Sequence, residues 1–435
     1  MMRTLALVLG LAALIGVATL ASPAAREQAA SSTVVTVDPA RQPLGCPGRL
    51  EVPVGSIVSG DEDLDSGSSD VTFESLPGGT ALDSEAGGEA VDDAQAVTVE
   101  RIGSGDIAGL AGVGCTTPQR DQWLVGGSTA LGSSARLVLS NPTASAVRVR
   151  VDIHGPVGLA DESPSVLVGP GSQESLLLEA HAPELPAIAV HVRAEGVGIA
   201  AALQDSRLDG FTAAGTDWIV PGPTAAELTV PLAGPATASA PATLSLLAPD
   251  GAQARLTLLT EDGARSWLGE DAIELEPGVL TDVRLPEADL AAVQIEATGP
   301  VVAGARITVA RPSAIDENAV ALDQALTAGQ VMGETRMRSA VVPDGTVTLV
   351  AAGGAGSLVL EAGAESVELD VADGTVAAAT LDLAPGTVLT SDLPFAWALL
   401  VEDVDAGFVT TIEPVLTEVE SREVDVGLAP YAPVP

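Results

Sequence analysis

Residues 146–155 read Ala-Val-Arg-Val-Arg-Val-Asp-Ile-His-Gly, and this stretch restricts the fold more than any other part of the chain. Val147, Val149, Val151 and Ile153 alternate with Arg148, Arg150, Asp152 and His154. A period of two places the apolar side chains on one face of a β-strand and the polar ones on the other, so one face is buried and one is wet. The alternation returns at Val293, Ile295 and Ala297 against Gln294, Glu296 and Thr298, and again at Val367, Leu369 and Val371 against Glu368 and Asp370. Turn signals such as Pro249-Asp250-Gly251, Glu261-Asp262-Gly263 and Pro343-Asp344-Gly345 separate these runs, because Gly and Asp reach the backbone conformations that tight turns need. One stretch reads differently: Ser313 to Ala328 is expected to be a helix, ended by Gly329.

The strands recur on a longer period. WLVGGSTA from Trp123 matches WIVPGPTA from Trp218, 95 residues on. A second marker begins near Leu185, Leu290 and Leu393, which are 105 and 103 residues apart. The third copy has Ala340-Val341-Val342-Pro343 where the opening tryptophan is expected. A period near 100 residues is too long for a solenoid and suits one sandwich domain per repeat. The expected fold is all-β: tandem immunoglobulin-like β-sandwiches over residues 118–217, 218–335 and 336–435, preceded by a small, loop-rich β segment over 25–117. Candidate strands in that segment are Val34–Val37, Val71–Glu74 and Val97–Glu100. Aromatic residues are only 2% of the chain, so its cores must be filled by Ala, Val, Leu and Ile.

The N-terminus reads as an export signal. Arg3 precedes an uncharged apolar run from Leu5 to Ala21, and Ser22-Pro23-Ala24 supplies small residues for cleavage. Residues 1–24 are therefore expected to be a signal peptide, or a retained signal anchor through residues 5–21. The mature chain is expected to be secreted or extracytoplasmic. Cys46 and Cys115 are the two cysteines, and in an exported chain a single pair is expected to be bonded.

The charge of −40 excludes a nucleic-acid partner, since a phosphate backbone calls for a basic stripe. It also disfavours an anionic membrane surface, leaving the N-terminal anchor as the expected membrane contact. Asp61, Asp63 and Asp65 alternate as in a calcium loop, but Ser66 stands where the EF-hand glycine belongs and Thr72 where its glutamate belongs. A mobile acidic loop is the expectation, with a looser cation site left open. His154 and His191 fall on the polar phase of their strands and His181 near a turn, so all three are expected to be solvated. No GxSxG elbow accompanies them. Glycine runs such as Ala351 to Ser357 lead into the short strand Leu-Val-Leu-Glu and not into a helix, so they read as turns. No catalytic residue, metal site or cofactor is expected.

Cys46-Pro47-Gly48, Gly114-Cys115, the Trp123–Gly127 segment and Ser140-Asn141-Pro142 resemble a family of large secreted actinobacterial proteins of unknown function. The resemblance implies export and a β-rich fold. Because members of that family lie near envelope glycosyltransferase genes, it also implies work at the cell envelope. The expected function is a non-catalytic structural or interaction role there, with an envelope protein or polysaccharide as partner. Two alternatives stay open: an accessory binding module for an envelope glycosyltransferase or glycan, and a glycan-directed hydrolase. Trp123 and Trp218 are the candidate sugar platforms, although their recurrence favours packing over ligand binding.

Overall fold

A strand with one apolar face is stable only when it pairs sideways and stacks face to face, and the chain satisfies both demands three times over. The computed structural model describes residues 32–37, 42–52, 67–92, 94–233, 238–266, 272–286, 290–312, 320–332, 337–417 and 422–427. Contacts divide the chain into two units: the terminal segments, and the body from Arg41 to Val419. In the first, β1 (Ser32–Val37) pairs antiparallel with a C-terminal strand, Arg422–Gly427. The export signal and the Asp61–Asp65 loop lie outside the described residues. No described helix is long and apolar enough to cross a membrane.

The body opens with β2 (Leu44–Cys46), β3 (Ser69–Glu74), β4 (Thr80–Ala81), β5 (Glu89–Val91), β6 (Thr98–Gly103) and β7 (Gly109–Gly114). They form two small sheets, β2-β5-β4 and β3-β6-β7. The Cys46–Cys115 disulfide joins the end of β2 to the residue after β7 across a Cα separation of 4.6 Å.

The first sandwich contains β8 (Asp121–Val125), β9 (Ser133–Asn141), β10 (Val147–Gly155), β11 (Gly158–Leu159), β12 (Ser165–Val168), β13 (Ser172–Leu177), β14 (Ala189–Ala194), β15 (Ala200–Asp209) and β16 (Thr212–Ile219). Its layers are β11-β10-β14-β8 and β13-β9-β15-β16. The second contains β17 (Ala225–Ala233), β18 (Ala238–Leu247), β19 (Ala252–Thr260), β20 (Gly263–Arg265), β21 (Ile273–Leu275), β22 (Leu280–Arg284), β23 (Leu290–Pro312) and β24 (Val320–Ala328). The 23-residue β23 serves both layers: its first half pairs with β17 and β19, its second with β18 and β24. The third contains β25 (Met337–Val341), β26 (Thr346–Gly353), β27 (Gly356–Ala362), β28 (Glu365–Val371), β29 (Val376–Thr380), β30 (Val388–Ser391), β31 (Phe395–Asp403), β32 (Phe408–Ile412) and β33 (Val415–Thr417). Its layers are β28-β27-β30-β25-β33 and β29-β26-β31-β32; the terminal strand Arg422–Gly427 is β34.

All three sandwiches share one topology. The opening strand (β8, β17, β25) pairs with β14, the first half of β23, and β30. The closing strand (β16, β24, β32) pairs with β15, the second half of β23, and β31. The alternation that begins β10 is obeyed: Val147, Val149 and Val151 are buried while Arg148 and Arg150 are exposed. Burying each such side chain is worth about 1.5–3 kcal/mol. Leu137, Leu139, Val190 and Leu203 complete that core, and Trp397 fills the third, with no exposed surface.

Three expectations are corrected. The helix over Ser313–Ala328 is not formed in its described part. Residues 320–328 are strand β24, paired residue for residue with Gly304–Pro312, so a long ladder overrides local helix preference; residues 313–319 lie outside the described set. Leu185 precedes β14 and Leu290 opens the equivalent half of β23, but Leu393 precedes β31, one strand later in the topology. The true third counterpart is β30. Trp123 lies in an opening strand, whereas Trp218 lies in β16, which closes the first sandwich.

Candidate functional site

The edge of a sheet leaves a row of backbone N–H groups without partners, and this body brings four edges to one place. β7, β16, β24 and β32 each end a sheet or layer, and no backbone ladder joins them to one another. Along β24 the N–H groups of Leu326 and Ala328 turn away from β23, and each meets a carboxylate. Leu326 N donates to Asp217 Oδ2 at 2.8 Å, and Ala328 N to Glu413 Oε1 at 2.7 Å. Other carboxylate oxygens reach further strands. Asp323 Oδ2 accepts Val409 N of β32 at 2.8 Å. Asp217 Oδ1 accepts its neighbour Trp218 N at 2.8 Å and the Thr410 hydroxyl at 2.7 Å. That hydroxyl in turn accepts Gly112 N of β7 at 2.8 Å. One relay therefore runs from β7 through β32 to β16 and β24.

The edges can approach this closely because small residues line them. A Cβ on Gly215, whose φ is +109°, would lie 2.6 Å from Gln324 N and 2.8 Å from Asp323 Oδ1. Glutamine amides make similar joints elsewhere. Gln330 donates to the Trp397 carbonyl at 2.8 Å and accepts the Trp397 N–H at 3.2 Å, standing in for a rung of a ladder. Gln204 does the same with Glu51, at 2.9 and 3.0 Å.

Beside the junction, a cleft of about 110 Å³ opens where the segments after the four edge strands converge. Thr116 and Thr117 follow β7, Pro221 and Pro223 follow β16, Gly329–Val331 follow β24, and Pro414–Leu416 follow β32. Arg338, at its wall, donates to the Gln330 side chain at 3.5 Å and to the Phe395 and Val331 carbonyls.

The chemistry of this arrangement is set by burial. Asp217 and Asp323 are fully buried, and burial pushes both well above the usual carboxylate range, opposed by the hydrogen bonds they accept. Burial likewise lifts Glu413 to about 7. It lifts Glu100 to about 7 as well, against the Thr72 hydroxyl, which donates to Glu100 at 2.5 Å. An acid with a higher pKa folded than unfolded binds more protons in the folded state. Its contribution is complete below the unfolded pKa near 4.5 and is lost as pH rises through 7. For Glu413 that loss is on the order of 3 kcal/mol. The unfolding midpoint of the chain is therefore expected to fall between pH 5 and pH 8. Glu413→Gln, which keeps an acceptor for Ala328 N without a charge, is expected to flatten the fall. A wild-type midpoint that holds or rises over this range would contradict the assignment.

The residues singled out in the sequence have other duties. Cys46 and Cys115 are bonded and packed with Trp218, Val97 and Val113 between the N-terminal sheets and the first sandwich. Trp123 and Trp218 are buried, at 5% and 2% exposure, which leaves neither ring open to a sugar. Trp123 packs against Leu247, Leu280 and Val302 of the second sandwich. The histidines are not simply solvated. His154 and His191 are half-buried against Trp123, and His191 bonds Asp121 at 3.0 Å. His181 pairs with Glu162 at 3.1 Å. Among the described residues no group of three or more His, Cys, Asp or Glu is placed to hold a metal ion. Sequence reasoning missed Asp217, Asp323 and Glu413. Each is a lone acid in an apolar strand end (DWIV, ALDQAL, TTIEPV), and that isolation was the available signal.

A family model described as "Family of unknown function (DUF5719)" matches residues 71–399. No curated protein matches the sequence. A solved structure titled "Biofilm associated protein - BSP domain" is 10% identical over 82% of this chain and 67% of its own, with a TM-score of 0.12, too low to carry an argument.

Proposed function

The chain belongs to the DUF5719 family of unknown function, and we propose that it is an exported, non-catalytic scaffold of the cell envelope. The observation that carries this reading is the use made of the buried acids. Asp217, Asp323 and Glu413 each give one oxygen to a backbone N–H group of a neighbouring sandwich, and a buried carboxylate engaged in this way acts as a joint and not as a base held ready for a substrate. The disulfide fits an oxidising compartment, and the apolar run from Leu5 to Ala21 fits export. Large, linked sandwiches with their polar interiors committed to mutual orientation suit a protein whose product is a surface held at fixed geometry, met by an envelope protein or polysaccharide.

The test is to add purified full-length chain to isolated envelope of the source cell and to measure two things together. Co-sedimentation with the envelope, and no release of soluble saccharide, is the expected pair of results. Saccharide release that one exposed-carboxylate substitution abolishes would replace the scaffold with the hydrolase reading. No co-sedimentation would remove the envelope from the proposal.

A further inference from the structure

The hairpins that close the first and third sandwiches turn through the same pair of residues, Gly210-Phe211 and Gly407-Phe408. Both glycines have positive φ, +64° and +71°; Phe211 immediately precedes β16, and Phe408 opens β32. Their surroundings differ. Phe408 is 9% exposed, and the Arg311 guanidinium of the second sandwich lies over its ring, 4.8 Å from the centroid. A Cβ on Gly407 would lie 3.1 Å from the Arg311 Cβ. Phe211 is 91% exposed, and a Cβ on Gly210 would meet nothing within 4 Å. The arginine of its own hairpin, Arg207, is held instead by Asp205 at 2.7 Å.

We propose that the Phe211 end of the first sandwich is a docking surface for a partner protein whose contacting segment carries an arginine or lysine among apolar residues, the cation covering Phe211 as Arg311 covers Phe408. This rests on the scaffold reading for where the partner is found, and narrows that partner to a protein.

A single apolar residue on a surface is ordinary, but Phe211 is not alone. Leu131 and Phe211 are the two most exposed large apolar side chains among the described residues, at 101% and 91%. The loop that carries Leu131 is tied to the foot of the Phe211 hairpin, where Leu208 N donates to the Gly132 carbonyl at 2.6 Å. On its other side the hairpin borders the start of β24. Arg311, paired with Ala321, donates to the Ala213 carbonyl at 3.2 Å, and the preceding Val320 is 71% exposed. Charge selects what covers this rim. Exposed Asp209 precedes Gly210, and the β31–β32 turn, on the far side of Arg311, carries exposed Asp405. The whole chain carries −40, so an anionic lipid surface, an acidic polysaccharide and a second copy of the chain are all repelled, whereas a cationic segment is drawn in. The face of an aromatic ring is the negative end of its quadrupole, so a guanidinium laid on it is attracted beyond the area it buries. Arginine in that place has further N–H groups for the Asp209 carboxylate, and its stem packs on the apolar rim.

The test applies purified full-length chain to an array of immobilised random peptides at about 0.15 M ionic strength. Sequences with Arg or Lys beside Leu, Ile, Val or Phe are expected to be enriched, and their binding to fall about tenfold in Phe211→Ser. That variant keeps the net charge, so peptides held by overall charge alone stay bound to it. Phe211→Leu, which keeps an apolar side chain without an aromatic face, is expected to bind less tightly than wild type, and Phe211→Trp at least as tightly. All three lie at an exposed turn and are expected to melt with the wild type. Flotation with phosphatidylcholine vesicles and sedimentation over a range of concentrations are expected to show neither membrane binding nor self-association. Enrichment that does not depend on Phe211, enrichment of apolar sequences without a cation, or equal binding by Phe211→Leu would each overturn the proposal. So would vesicle binding or self-association that Phe211→Ser abolishes. Envelope co-sedimentation unchanged in Phe211→Ser would sink this surface and leave the scaffold reading standing; Phe211-dependent peptide binding without co-sedimentation would do the reverse.

Discussion

Asp217→Ala is expected to lower the stability of the chain by about 3–6 kcal/mol. The carboxylate receives Leu326 N, Trp218 N and the Thr410 hydroxyl in a site closed to water, and each buried donor stripped of its acceptor costs about 1–3 kcal/mol. The damage should not stay in the first sandwich, because the three donors come from strands of all three. The wild-type denaturation profile is therefore expected to be one transition, and that of the variant to broaden or split. Asp217→Asn should be milder but not neutral: its amide keeps one acceptor and turns an N–H toward groups that are themselves donors. Thr410→Val, which removes one link and leaves the carboxylate, is expected to cost about 1 kcal/mol. An Asp217→Ala midpoint equal to wild type would mean that the donors find water, and that the junction is not the closed site described.

Replacing Cys46 and Cys115 together by Ala should cost about 4 kcal/mol by the chain-entropy estimate for a loop of this length. The effect is expected to be regional. The bond ties two small sheets whose shared core with the first sandwich includes Trp218, Val138 and Ala202. Loss of hydrogen-exchange protection should concentrate in β2, β5, β6 and β7, with a red shift in tryptophan emission as Trp218 gains water. Two thiols alkylated in the untreated native protein, or a variant as stable as wild type, would contradict this.

The strand content of the chain was legible wherever one face meets water, as in β10, because alternation encodes a half-buried strand directly. Legibility failed where strands are covered on both sides. β24 is buried from Asp323 to Ala328, so it shows no alternation and reads as helix. Trp218 misled for a related reason. A closing strand and an opening strand both carry a tryptophan because both face a neighbouring unit, and the likeness marks that shared duty and not a shared place in the sandwich. The histidines read as solvated because period two gives the face of a residue but not what packs on that face. His154 is on the outer face of β10, and the second sandwich covers it. The carboxylate junction was hidden most deeply, since Asp217, Asp323 and Glu413 lie 106 and 90 residues apart and nothing local links them.

Residue-resolved hydrogen exchange at Leu326, Ala328 and Val409 bears most directly on the role of the buried acids. Outward N–H groups of edge strands ordinarily exchange early, with the fraying parts of a sheet. If carboxylates of neighbouring sandwiches hold these three, they should exchange as slowly as amides in the central strands β15 and β31. Asp217→Ala should then release Leu326, and Glu413→Ala should release Ala328. Fast exchange at all three in the wild type would show the edges open to water and leave the buried acids free for some other work.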